Sequence, residues 1–120
     1  MREVVANIVF NSLTHASIKG LRGPMESQQI IFQAEDLSIH LRVSKPEQER
    51  VILGQILEES ADGFISGAKV SLQSGTANIG STTTNSLGEF RFGGVPPGTL
   101  KLEAKTPSRC VIANFKVIGD

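Results

Sequence analysis

The chain has 120 residues, the length of one domain and enough to build a core without a disulfide or metal staple. Hydrophobic residues make up 39%, six phenylalanines are the only aromatics, and twelve basic residues balance twelve acidic ones. No net field therefore draws the chain to nucleic acid or to an anionic membrane. The one cysteine, Cys110, excludes an internal disulfide; it lies in the apolar run RCVIANFKV and reads as a buried, inert thiol.

Residues 1–28 read as an N-terminal leader. Val4, Val5, Ile8 and Val9 fit a helical stripe or a strand equally, and with Phe10 they exceed the apolarity a disordered tail needs. Residues 11–28, with Gly20, Gly23 and Pro24, read as irregular. The leader is expected to dock, on its own domain or on a second copy as a homodimer. MREVVANIVF has only a seven-residue apolar run broken by Asn7, without a small-residue cleavage site, and no window approaches a membrane span. A cytoplasmic location is the expectation.

From residue 29 onward short apolar runs alternate with turn residues. Gln29–Ala34 and Leu37–Val43 flank the two-residue connection Glu35-Asp36, and Leu37, Ile39, Leu41 and Val43 alternate with Ser38, His40 and Arg42 as in a half-buried strand. Arg50–Glu58 reads as a longer strand with Gly54 as a bulge. EESADGFIS reads as a loop, Gly67–Gln73 as a strand, and the threonine-rich Ala77–Thr84 as an edge strand. Asn85–Gly88 makes a turn, and Glu89–Phe92 points Phe90 and Phe92 the same way. The corner GGVPPG (93–98) releases the chain through its glycines, returns Val95 to the core and fixes an extended crossing through Pro96 and Pro97. Thr99–Lys105 and Arg109–Ile118 close the pattern, with Leu100, Leu102 and Ala104 inward. About seven or eight short strands and no helical period after residue 28 predict an all-β antiparallel sandwich over 29–120.

With the strands placed, Asp62-Gly63, Gly67-Ala68, Val70, Leu72, Gly88, Phe90, Phe92, Val95-Pro96, Gly98 and Leu102 stand at the spacing of a known pattern. The stretch resembles the carboxypeptidase regulatory-like domain, a transthyretin-like or prealbumin-like, immunoglobulin-like sandwich, with residues 54–118 as its core. Asn85 replaces the family's turn aspartate and Leu100 its tyrosine. The upstream VVANIVFNS and QQIIFQAEDLSIHLRV are similar to a less characterised bacterial group whose members lie near sigma-factor and stress-response genes. The resemblance implies binding or folding support rather than catalysis.

No residue set contradicts that implication, and no catalytic, cofactor-binding or metal-binding residue is assigned. His15 and His40 form no ligand pair, and His40 falls on the solvent side of its strand. Glu58, Glu59 and Asp62 lack the alternating oxygens of a calcium loop. No nucleophile elbow or phosphate loop occurs, and Pro96 and Pro97 lack the N–H donors a phosphate cradle needs. By resemblance to collagen-adhesin B-type repeats, which form an internal Lys–Asn isopeptide bond beside a buried carboxylate, Glu103 and Asn114 stand at family-like positions, but the strand that would carry the lysine has none and Lys69 lies on another. Without Trp or Tyr, and with Phe90, Phe92 and Phe115 assigned to the core, stacking on sugars is disfavoured. Lys19 and Arg22 are too small a basic pair for nucleic acid. The expected function is a non-enzymatic protein–protein interaction or scaffold module, in bacterial stress or sigma-factor-linked regulation, working through the 77–84 edge or the leader. A carbohydrate- or small-ligand-binding sandwich is the alternative.

Overall fold

The computed structural model describes residues 2–11, 27–45, 49–59 and 63–117, and these hold eleven strands and no helix. In chain order they are β1 (Arg2–Val5), β2 (Asn7–Asn11), β3 (Ser27–Ala34), β4 (Leu37–Ser44), β5 (Val51–Glu58) and β6 (Gly63–Phe64). The series continues with β7 (Lys69–Ser74), β8 (Ala77–Thr83), β9 (Glu89–Phe92), β10 (Gly98–Lys105) and β11 (Arg109–Val117). Among the described residues no helix is long and apolar enough to cross a membrane.

Two sheets pack face to face. One runs β1-β11-β10-β7-β8; the other runs β2-β3-β4-β5-β6, with β9 pairing the same edge of β5 nearer its start. Every pairing is antiparallel except β1 with β11. Period-2 alternation explains the layering, because one face of each strand supplies the core and the other stays polar. Ile30, Phe32, Ile39, Leu41, Ile52 and Ile56 of one sheet meet Val70, Leu72, Leu100, Leu102, Val111, Ala113 and Phe115 of the other. Phe32 and Phe115 touch edge to face across the gap, centroids 5.9 Å apart. Each such side chain contributes about 1.5–3 kcal/mol by leaving water.

The sandwich has more strands than the pattern predicts, for two reasons. Residues 2–11, open between helix and strand in the sequence, form strands that serve both sheets. β1 lies along β11, the Ala6 N–H donates to the Ile112 carbonyl at 2.8 Å, and the chain then crosses to pair β2 with β3. Val4 packs against the core and Ala6 is buried, whereas Val5 is 62% exposed, so the alternation is that of a strand. The predicted loop EESADGFIS also contains β6, too short to show a period. Of residues 11–28, expected to be irregular, Asn11 ends β2 and Ser27 and Gln28 begin β3; residues 12–26, with Gly20, Gly23 and Pro24, lie outside the described residues, as does Ile118.

Gly54 is not a bulge. The ladder passes through it unbroken, Leu41 opposite Gly54 and Gly54 opposite Phe90. A Cβ built there would lie 2.1 Å from Cζ of the Phe90 ring, so the missing side chain makes room for that ring. The GGVPPG corner is held as expected by its valine. Val95 is buried, its N–H donates to the Arg50 carbonyl at 3.0 Å, and the buried Arg50 returns Nη1 to the Val95 carbonyl at 3.0 Å.

Gly54→Ala will cost about 1–3 kcal/mol in urea unfolding, because the Phe90 ring must be displaced from a packed core. Gly80→Ala is the contrasting substitution: its Cβ meets Phe92 at 3.4 Å, an ordinary contact. A change within about 0.5 kcal/mol is expected there.

Candidate interaction surface

The residues weighed for chemistry do not converge. Among the described residues no group of three or more His, Cys, Asp or Glu could hold a metal ion. His40 is exposed on β4, while His15, Asp62, Lys19 and Arg22 lie outside the described residues. Cys110 is buried and unpaired with any other cysteine; burial pushes its thiol up, Glu103 adds to the shift, and Lys105 opposes it. Lys69 is exposed on β7. The lysine opposite Asn114 is Lys101, whose Nζ lies 3.7 Å from Glu103 Oε2 on the solvent side of the sheet. That is a surface ion pair, without the burial that would neutralise a lysine and a carboxyl together.

One end of the sandwich is closed by charge. Arg109 starts β11 with its side chain 7% exposed, and its guanidinium faces three carboxylates of the opposite sheet. Nη1 donates to Glu35 Oε1 at 2.6 Å; Nη2 reaches Asp36 Oδ1 at 2.8 Å and Glu58 Oε2 at 3.0 Å. Arg2 of β1 takes both oxygens of Glu35, at 2.5 and 3.0 Å. Burial works against the Arg109 charge, but Asp36 and Glu35 overcome it and hold its pKa above the ordinary arginine value. Hydrogen bonds from Arg2 and then Arg109 hold the Glu35 carboxyl below its usual range. Glu35 itself sits at φ +58°, the hairpin turn position that swings its carboxylate toward both guanidiniums. The carboxylates and the Nη groups of the guanidiniums satisfy one another, while the buried Arg109 Nε has no partner among the described residues; the cluster is a structural tie between the sheets.

The open surface lies on the outer side of β3, β4, β5 and β9. Register aligns the outward residues into rows: Gln29–Arg42–Leu53–Arg91, then Ile31–His40–Gln55–Glu89, then Gln33–Ser38–Leu57–Phe64 through β6. Leu53 and Phe64 are 44% and 46% exposed, and Ile31 and Leu57 are half-buried beside them. Two shallow depressions of about 360 and 520 Å³ share Leu53, Gly54 and Glu89 on this face. The turn behind it is rigid. Asn85 Oδ1 accepts from the N–H groups of Leu87 and Glu89 at 2.9 Å, and Gln55 Nε2 donates to the Leu87 carbonyl at 2.9 Å. Gly88, at φ +75°, would bring a Cβ to 2.5 Å from the Ile56 carbonyl oxygen, so no larger residue fits the turn.

The two surfaces expected from sequence differ in form. β8 pairs only β7 and is an edge, but a register shift opposite Leu72 and Gln73 interrupts it, a feature that blunts strand addition. The N-terminal strands leave Val5, Ile8 and Val9 exposed. No sequence signal pointed to the β3–β4–β5–β9 face, because its outward letters are ordinary until register aligns them.

Comparison with known proteins adds one positive finding: the family model described as carboxypeptidase regulatory-like domain matches residues 51–110, half of the chain. No curated protein and no solved structure matches. The matched span contains Leu53, Gln55, Phe64, Glu89 and Arg91, while Gln29, Ile31, His40 and Arg42 precede it.

Replacing Arg109 by Met leaves three carboxylates facing one another. A fully buried pair broken this way costs about 3–5 kcal/mol; these carboxylates keep contact with water, so about 2–3 kcal/mol is expected at neutral pH. Because the folded-state pKa of Glu35 is lowered, its contribution is complete above the unfolded value near 4.5 and is lost as pH falls through the lower folded value. Urea midpoints measured at pH 7 and about pH 3 will therefore fall less for Glu35→Gln than for the unsubstituted chain.

Proposed function

The chain belongs to the carboxypeptidase regulatory-like domain family, a non-catalytic β-sandwich module, and from that premise we propose that it is a protein–protein interaction or scaffold module working through the outer face of β3, β4, β5 and β9. The observation that carries the proposal is the grouping of Leu53, Phe64, Ile31 and Leu57 among hydrogen-bonding side chains on one sheet face. A half-apolar, half-polar patch on rigid strands is what a protein interface uses. A cytoplasmic setting, a second copy docking along the N-terminal strands, and a place in bacterial stress or sigma-factor-linked regulation extend the same proposal; the last is supported only by the resemblance of the upstream segments. The alternative of a sugar-binding module has little support. Phe32, Phe90, Phe92 and Phe115 are buried, and Phe64 is a single exposed ring where a platform needs several.

Leu53→Asp with Phe64→Ser will leave the melting temperature within a few degrees and abolish copurification of the proteins that the unsubstituted chain captures from its host. Ser81→Lys, exposed on the outer side of the β8 edge and outside both depressions, will retain them. Unchanged capture by the first variant, with the fold intact, contradicts the proposal.

A further inference from the structure

We propose that the partner segment seated on this face is acidic, with carboxylates on both sides of a central apolar residue that packs on Leu53. This inference rests on the reading of the face as the interaction surface, and adds to it the chemistry of the partner.

Register makes the receptor an Arg–Leu–Arg row. Arg42 of β4 and Arg91 of β9 stand directly opposite Leu53 of β5, one on each side. Neighbouring strands lie about 4.8 Å apart, so the two arginine backbones are about 10 Å apart with the leucine midway. Both arginines are exposed, and their side chains make no ion pair or hydrogen bond among the described residues. They differ in this from Arg2, Arg50 and Arg109, which are all engaged. A guanidinium is weakly hydrated and offers a planar fork of donors that matches a carboxylate.

The carboxylates nearby do not occupy these forks. Glu89, in the adjoining row, accepts from Asn85 Nδ2 at 3.2 Å. Glu49 borders the face beside Gly93, near Arg91, without forming an ion pair with it. Ile31 and Gln55 of the next row offer an apolar contact and an amide oxygen to the continuing partner chain, the Gln55 Nε2 being held by the Leu87 carbonyl. The depressions on either side of the row give room for side chains next to the central one. Charge complementarity of this kind selects the partner and speeds encounter more than it adds affinity, so salt will weaken the association.

Fluorescence anisotropy with the full chain tests the inference, using labelled peptides of one length that carry a central leucine flanked by aspartates, by serines or by lysines. The aspartate peptide is expected to bind about tenfold tighter than the serine peptide, with the lysine peptide weakest, and added salt should erase the preference. Arg42→Glu with Arg91→Glu should reverse the order; Arg42→Gln with Arg91→Gln should abolish it, and serves if the charge reversals impair folding. Equal binding of the aspartate and serine peptides, lost on Leu53→Asp, overturns the acidic partner while leaving the face as an interaction surface. An oligothymidylate that binds as tightly as the aspartate peptide overturns it as well, because polyanion charge alone would then suffice. If no peptide binds and host capture survives Leu53→Asp with Phe64→Ser, the inference and the reading beneath it both fall.

Discussion

The guanidinium of Arg109 reaches from β11 in one sheet to the β3–β4 hairpin and β5 in the other, and the arrangement of that end of the molecule depends on it. The inward apolar rows would let the sheets slide, since hydrophobic contact has no direction of its own. Three carboxylates on one buried cation do not permit sliding. Such a cluster contributes more to choosing one packing than to total stability, because desolvation offsets much of its attraction. Arg2, paired with Glu35, extends the tie to β1, which its backbone ladder holds beside β11. On β3, the buried Gln28 donates to the Lys116 carbonyl of β11 at 3.2 Å and joins the sheets a second time, at the far end of both strands.

Much of this fold was legible along the chain. The alternation in LSIHLRV and TLKLEAK, the Asn85–Gly88 turn and the GGVPPG corner each combine a local period or a turn residue with a fixed backbone requirement. What stayed hidden depends on partners distant in sequence. β1 and β2 are ambiguous alone because their strand character comes from β11 and β3. Gly54 looks like a bulge until Phe90 is known to stand opposite. Arg109 looks like a polar strand start until Glu35, Asp36 and Glu58 are brought to it by pairing. β6, at two residues, is too short to carry any period.

The same reasoning explains why the interaction face was not visible as a motif. Arg42, Leu53 and Arg91 sit on three strands separated by loops, and only the β4–β5–β9 register makes them neighbours. Half of the face comes from the span that matches the family and half from the upstream hairpin. The matched span carries β5 to β10; the upstream β3–β4 hairpin continues the sheet from β5 and brings Arg42, His40 and Ile31 to the surface. The other sheet presents Lys69, Lys101, Lys105 and Lys116 outward, a solvated face without an exposed large apolar group at its centre.

Amide-resolved NMR mapping of the aspartate–leucine peptide onto the full chain locates the binding face directly. Shift changes are expected only at residues 29–31, 40–42, 53–55 and 89–91, on four strands but one face. Changes centred on β8 or on the lysine-bearing face of β7, β10 and β11 would contradict this placement, as would a saturating peptide that moves no resonance on the β3–β4–β5–β9 face.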